Sequence, residues 1–230
     1  MNEYLVIIPT YNELGNIQKI IPEILNFNSN IDILVVDDNS PDGTGKFVDE
    51  NYANEKRIHI LHRKEKNGLG KAYIAGMKKA LEYNYKFIVQ MDADFSHRPI
   101  DLQKLIDVSN DYDLVIGSRW VPGGKVVNWS FSRKFISKFG SFYASTILRK
   151  PIKDWTGGFN LWRAEKLRSF GLDTINSSGY SFQIEMKNRA LNKNFKHYEQ
   201  AIEFVDRDIG ESKMSKKIIL EALYRVWTFR

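Results

Sequence analysis

The chain has 230 residues, 43% of them hydrophobic and 27% charged, which suits one large α/β domain or two small ones with a sizeable buried core. It contains no cysteine, which excludes disulfides and cysteine-ligated zinc, and no apolar run approaches the roughly 18 residues needed to span a membrane. A net charge of +6 suits an anionic partner, whether nucleic acid, phospholipid surface or phosphorylated small molecule, without choosing among them.

The first residues, MNEYLVIIPTYNE, lack the basic leader and long apolar region of a signal peptide. Short apolar or β-branched runs at 4–9, 31–37, 57–62, 87–91 and 113–117 predict strands. Stretches 14–27, 44–52, 69–83 and 99–108 predict helices, and Pro22 should kink or shorten the first of them. Strands that are apolar almost throughout and alternate with helices predict an α/β fold, a mostly parallel central sheet with helices on both faces. Ligands of such sheets bind beyond the carboxyl ends of the strands, which directs attention to PTYNE, DDNSPDG, DADFSHRP and GSRWVPGGK. After Ser118 the rhythm breaks. A helix at 131–148 leads to a turn-rich DWTGGFN at 154–160, then to helices at 164–170 and 182–191, a strand-like 195–205 and a helix at 215–229. No repeat, low-complexity tract or linker divides the chain, so a single domain over 1–230 is the simplest reading.

In DADFSH, residues two apart in an extended chain point the same way, so Asp92 and Asp94 project together. Two converging carboxylates repel unless a cation sits between them, and Mg²⁺ or Mn²⁺ is the natural choice because such ions bridge carboxylates to substrate phosphates. Ser96 would add a hydroxyl ligand or hold a metal-bound water. The competing reading is structural: Asp92 ends the strand, while Asp94 and Ser96 cap the helix after Arg98-Pro99. In DDNSPDGT, a carboxylate of Asp37 or Asp38 could accept hydrogen bonds from a ribose, or the stretch could be turn chemistry with Thr44 as a cap. In PTYNE, Pro9 closes the strand, Tyr11 offers a ring for a base, and Glu13 could bond a base edge or cap the first helix. The four histidines lack metal-ligand spacing, and neither GxxxxGK[ST] nor GxGxxG is present, which counts against kinase, NTPase and dehydrogenase chemistry. Arg133 and Ser137 share a helix face at i and i+4 and could hold one phosphate. Arg119 follows the fifth strand, and Arg207 and Lys213 flank Gly210; the alternative for all these cations is a solvated surface.

Taken together and in order, PTYNE, VVDDNSPDGT, DADFSH, GSRW with GG, NWSFSRKFIS, TGGF and GESKMS closely resemble the dolichyl- or polyprenyl-phosphate mannosyltransferases, inverting enzymes with a GT-A fold. The resemblance runs from about Tyr4 to Ser215. It implies that Pro9, Tyr11, Glu13, Val36 and Asp38 hold the nucleotide base and ribose. It further implies that Asp92, Ala93 and Asp94 form the metal and diphosphate site. Arg119, Arg133 and Ser137 would hold the acceptor phosphate, and Arg207 and Lys213 would close over the donor. Residues 1–118 become a nucleotide-sugar half and 119–230 an acceptor half. Some relatives carry Gln where Ser96 stands, and serine is shorter.

The function so implied is mannose transfer from GDP-mannose to a polyprenyl monophosphate, with Mg²⁺ or Mn²⁺, at the cytoplasmic face of a membrane. The alternatives are a UDP-sugar donor such as UDP-glucose and a non-catalytic nucleotide-binding subunit; nucleic acid is not an expected partner. The 215–229 stripe of Ile219, Ala222, Val226 and Phe229, with Lys216, Lys217, Arg225, Arg230, Tyr224 and Trp227, fits an interfacial helix or packing on the protein's own sheet. Because some relatives carry C-terminal spans, the expectation is a peripheral enzyme, a partner of a small membrane-anchoring subunit, or a chain cut before a span.

Overall fold

A computed structural model describes residues 2–206 and 223–230. Seven strands form the main sheet: β1 (Tyr4–Thr10), β2 (Ile31–Asp37), β3 (Ile58–His62), β4 (Phe87–Gln90), β5 (Leu114–Ser118), β7 (Asn160–Arg163) and β8 (His197–Ala201). Their spatial order is β3-β2-β1-β4-β7-β5-β8. All neighbours pair in parallel except β7, which is antiparallel to both β4 and β5. The α/β reading and its mostly parallel sheet therefore hold.

Successive side chains of a strand point to opposite faces, and the apolar runs fill both. Leu5, Ile7, Leu34, Val36, Ile88, Leu114 and Ile116 enter one core, together with residues of α3 (Leu69–Leu81), α6 (Ala164–Arg168) and α7 (Gly179–Asn192). Val6, Ile8, Ile33, Val35, Val89 and Val115 enter the other, with α1 (Leu14–Phe27), α2 (Thr44–Tyr52) and α4 (Pro99–Val108). At roughly 1.5–3 kcal/mol for each fully buried aliphatic side chain, this two-sided burial fixes the register of every central strand.

Three local expectations change, and a fourth is described only in part. Helix α1 runs its full length through Pro22. Its buried face is Ile17, Ile20, Ile21 and Ile24, while Gln18, whose carbonyl loses its partner at the proline, is on the exposed side. The strand-like 195–205 divides at Ile202: β8 joins the main sheet, while β9 (Glu203–Val205) pairs in parallel with β6 (Lys125–Val127) in a second small sheet. Of the 215–229 helix, residues 223–228 are helical and the earlier part lies outside the described residues.

The last change matters most for function. The turn-rich stretch ends in β7, wedged between β4 and β5, with Asn160 opposite both Gln90 and Ile116. Because β7 runs the opposite way, its amino end sits at the carboxyl ends of β4 and β5. The DWTGGF loop is thereby delivered beside DADFSH and GSRW. Stacking of the His97 ring on Phe159, with centroids 4.8 Å apart, records that contact.

Candidate active site

The first group of site residues lies at the carboxyl ends of β1 and β2, where Pro9 pairs with Val36 and Thr10 with Asp37. Asp37 is consumed by structure: it accepts from the Thr10 hydroxyl at 2.9 Å and from the Ser40 hydroxyl and N–H at 2.6 and 3.0 Å. Asp38 accepts from Arg63 Nη1, and burial pushes its carboxyl above the ordinary carboxylate range, partly offset by that arginine. The Lys66 ammonium lies 3.8 Å from the centre of the Tyr11 ring. Glu13 is not a side-chain cap for α1, nor is Thr44 the cap of α2. Instead the Thr44 hydroxyl accepts from the Glu13 N–H at 3.1 Å and donates to Asp42 at 2.6 Å, which ties PTYNE to DDNSPDGT.

The second group is DADFSH. These residues form a bend rather than an extended strand, because β4 ends at Gln90 and Phe95 has φ of 60°. A bulky side chain in the left-handed region is strained, a condition that clusters at functional sites. The capping alternative fails: α4 has Arg98 at its N-cap with no side-chain cap. Each carboxylate is held by its own hydroxyl donor, Asp92 Oδ1 by Tyr73 at 2.7 Å and Asp94 Oδ1 by Ser96 at 2.6 Å. Ser96 thus directs its hydroxyl to Asp94, and its N–H bonds the same oxygen at 3.1 Å. Burial, reinforced by Asp92, raises the Tyr73 phenol well above its ordinary value, so it remains a donor. The buried His97 accepts the Asp92 N–H on Nδ1 at 3.0 Å, and burial lowers its pKa, so the ring stays neutral and braces the loop.

Among the described residues no three histidine, cysteine, aspartate or glutamate side chains converge on a metal point. Asp92 and Asp94, with buried Ala93 between them, therefore form no complete cage of protein ligands. Half-buried hard oxygens anchored in this way suit an Mg²⁺ or Mn²⁺ ion whose remaining ligands are phosphate oxygens and water.

The third group is basic and aromatic. Arg119 is only 5% exposed and grips Asp154 with both arms: Nε to Oδ2 and Nη2 to Oδ1, each at 2.7 Å, with its backbone N–H adding a bond at 2.9 Å. Gly124 permits this corner, because a Cβ there would lie 2.6 Å from the Ser118 carbonyl oxygen. Asp154 is desolvated, yet Arg119 and then Lys187 hold its carboxyl down to about 2. Fully buried Lys187 donates to the carbonyls of Asp154, Trp155 and Gly157 at 2.9, 3.1 and 2.7 Å, and burial lowers its own pKa to about 8. Arg119 Nη2 also reaches Thr156 Oγ1 at 2.8 Å, and that oxygen is 3.4 Å from Ser137 Oγ. On α5 (Phe131–Leu148), Arg133 lies 4.1 Å from the centre of Trp129 and donates from Nη1 to Asp206 at 2.6 Å. Among the described residues, the buried indole N–H groups of Trp120 and Trp129 and the Nε of Arg133 have no hydrogen-bond partner. Buried donors are nearly always satisfied, so this cluster is shaped to receive an acceptor group.

Arg119, Arg133 and Ser137 are thus brought together around Trp129 and Thr156, with Arg119 largely committed to Asp154. Arg207 and Lys213 lie outside the described residues. Arg63 and Lys66 escaped the sequence reading although they occupy the strand-end loop after β3, where the same rule applies. Tyr73, Asp154 and Lys187 carry no local signal, because their roles come from partners 19 to 35 residues away.

The glycosyl transferase family 2 model matches residues 5–171, and the chain belongs to that family. It is a glycosyltransferase with a GT-A fold. The undecaprenyl-phosphate mannosyltransferase of Micrococcus luteus is 47% identical over 222 residues, covering 96% of this chain and 91% of its own length. The polyprenol monophosphomannose synthase of Mycolicibacterium smegmatis is 45% identical over 230 residues, covering 98% and 87%. Among solved structures, glucosyl-3-phosphoglycerate synthase from Mycobacterium tuberculosis, in complex with Mn²⁺, UDP and glucosyl-3-phosphoglycerate, superposes with a TM-score of 0.72. It is 13% identical and covers 99% of this chain and 80% of its own, a likeness of fold.

Proposed function

We propose that this enzyme transfers mannose from GDP-mannose to a polyprenyl (dolichyl-type) monophosphate with inversion, at the cytoplasmic face of a membrane, aided by Mg²⁺ or Mn²⁺. The observation that carries the acceptor is the set of unpaired buried N–H groups of Trp120, Trp129 and Arg133. Trp129 also lines an apolar crevice walled by Ile136, Tyr143, Ile184 and Val226, with Ser137 and Thr156 in its lining. That crevice has the polarity of a phosphate with a hydrocarbon tail. The donor rests on the two mannosyltransferase relatives, similar along nearly the whole chain.

The nucleotide-sugar half, 1–118, holds the base and ribose with Pro9, Tyr11, Glu13, Val36 and Asp38. Asp92 and Asp94 would hold the divalent ion, which when bound would supply positive charge to offset that developing on the departing GDP. Tyr73 and Ser96 fix the two carboxylates by hydrogen bonds, so neither needs to reorganise during the reaction. Arg133 and Ser137 orient the acceptor phosphate in the other half, and Arg119 adds positive potential from beneath. Arg207 and Lys213, which lie outside the described residues, would add positive charge for the donor. The acceptor oxygen, already ionised at neutral pH, forms the new bond to the anomeric carbon as the bond to GDP breaks and its electron pair leaves with GDP. No proton has to be removed, so no general base is required. A small membrane-anchoring subunit is a further proposed partner.

The test supplies purified protein with Mn²⁺, polyprenyl phosphate and radiolabelled sugar nucleotides, then extracts lipid. Label in the lipid phase from GDP-mannose, well above that from UDP-glucose, is expected. Label from UDP-glucose alone would overturn the donor, and none from any donor would overturn the proposal.

A further inference from the structure

Residues 154–157 form neither helix nor strand, and they are held from two sides. Arg119 and the Gly157 N–H, at 3.0 Å, converge on the side chain of Asp154. The carbonyls of Asp154, Trp155 and Gly157 converge instead on Lys187 Nζ, which reaches them from α7 at 2.9, 3.1 and 2.7 Å. An ammonium has three N–H groups, so these carbonyls take all of them and none remains for a substrate. The one carbonyl they skip belongs to Thr156. Its hydroxyl sits between Arg119 Nη2 and Ser137 Oγ, at 2.8 and 3.4 Å, and Thr156 and Ser137 both line the apolar crevice.

Burying an ammonium is costly, and the hydrogen-bond partners of Lys187 are carbonyls rather than a carboxylate. An apolar side chain would fill the same space without that cost, so what the lysine holds explains its presence. We propose that Lys187 is a positioning residue for the acceptor phosphate: its ammonium gathers three carbonyls of the 154–157 loop and so sets the Thr156 hydroxyl between Arg119 and Ser137. The role rests on the polyprenyl-phosphate reading of this end of the site; the clamp itself does not. A neutral amine has two N–H groups and a lone pair, so it cannot hold all three carbonyls. The charged groups that face Lys187 are Asp154 on the loop, Arg119 after β5 and Glu199 on β8. Burial, helped by Arg119 and opposed by Asp154 and Glu199, lowers its pKa from 10.5 to about 8. Losing that proton does not weaken the fold: between 8 and 10.5 the unfolded chain holds more protons, so the lysine's contribution to stability rises with pH through that window. Grip on the acceptor and stability therefore move in opposite directions above about pH 8.

The test measures binding of a water-soluble, short-chain prenyl monophosphate to the intact chain from about pH 7.5 to 9.5, read by tryptophan fluorescence because Trp129 lines the crevice. A phosphate monoester, with its second pKa near about 6, is fully ionised across that range. The wild-type Kd is expected to rise about tenfold with a midpoint near pH 8, while the Kd for GDP with Mn²⁺ stays level. Lys187→Met should bind the prenyl phosphate about tenfold more weakly at pH 7.5, with no further loss at higher pH and with GDP affinity unchanged. Lysine ε-carbon NMR of the wild type needs no variant: one signal should titrate near pH 8, at the midpoint of the binding curve. A wild-type Kd that stays level, a folded Lys187→Met that binds as tightly as wild type, or a binding midpoint matched by no lysine signal would each overturn the proposal. Equal weakening of GDP and prenyl phosphate by Lys187→Met would also overturn it, because it would mark a general structural role. Prenyl phosphate binding that follows the expected pH course without any glycosyl transfer would contradict the proposed activity and leave the clamp standing. No prenyl phosphate binding at pH 7.5 would remove the acceptor reading and the positioning role with it.

Discussion

The two ends of the site are built in opposite ways. The donor end consists of short strand-end loops in which Asp92 and Asp94 are half exposed and several carboxylates are held by near neighbours: Ser96 on Asp94, Ser40 on the buried Asp37, Thr44 on Asp42. The acceptor end consists of buried cations held across long stretches of sequence, Arg119 by Asp154 and the 154–157 backbone by Lys187. A donor that brings its own diphosphate and cation needs carboxylates that can be approached. An acceptor phosphate needs fixed positive potential, and guanidinium groups in a low-dielectric setting supply it only when counter-charges such as Asp154 and Asp206 keep them there. The lesson is that donor-end changes should act on chemistry alone, while acceptor-end changes should act on the fold as well.

The largest effect is expected for Asp94→Asn, which removes a charge from the proposed metal site and should lower transfer by about 10²–10³-fold. Its unfolding free energy should stay within about 0.5 kcal/mol of wild type; a large loss of stability would break the contrast. Next comes Asp154→Ala, which strands Arg119 as a buried uncompensated charge and should cost about 3–5 kcal/mol in denaturant unfolding. The same pair predicts a pH signature. The Asp154 pKa is depressed in the fold, to about 2 from 3.8, so its stabilisation is complete above 3.8 and is lost as pH falls towards 2. Unfolding free energy of the wild type should drop through that window more steeply than that of Asp154→Ala, as read from unfolding at stepped pH. The smallest effect is expected for Tyr73→Phe. It removes one hydrogen bond to Asp92, worth about 1 kcal/mol, and should slow transfer severalfold while the apparent affinity for the divalent ion weakens to match.

The same contrast governs what could be read from the chain. β1, β2 and α1 emerge directly from apolar runs, and Asp92 and Asp94 stand out because the strand and the pair are contiguous. Ser96 stands out by the same alternation; its hydroxyl and its N–H both donate to Asp94 Oδ1, the N–H closing an Asx-type turn that short polar residues form readily. β7 is hidden because NLWR is four residues long and follows a Gly-Gly turn; only its place between β4 and β5 makes it a strand. Lys187 sits in an ordinary helical stretch, and its burial is decided by carbonyls 30 to 33 positions earlier. Local chemistry was legible; support from across the fold was not.

The central claim is that donor and acceptor phosphates are held by separate ends of one site. Arg133→Lys tests it most directly, because lysine keeps the charge and loses the planar fork that includes Nε. Steady-state kinetics with GDP-mannose and polyprenyl phosphate should show the KM for the acceptor rising roughly tenfold to a hundredfold, with the KM for GDP-mannose unchanged. A rise confined to the KM for GDP-mannose would contradict the account.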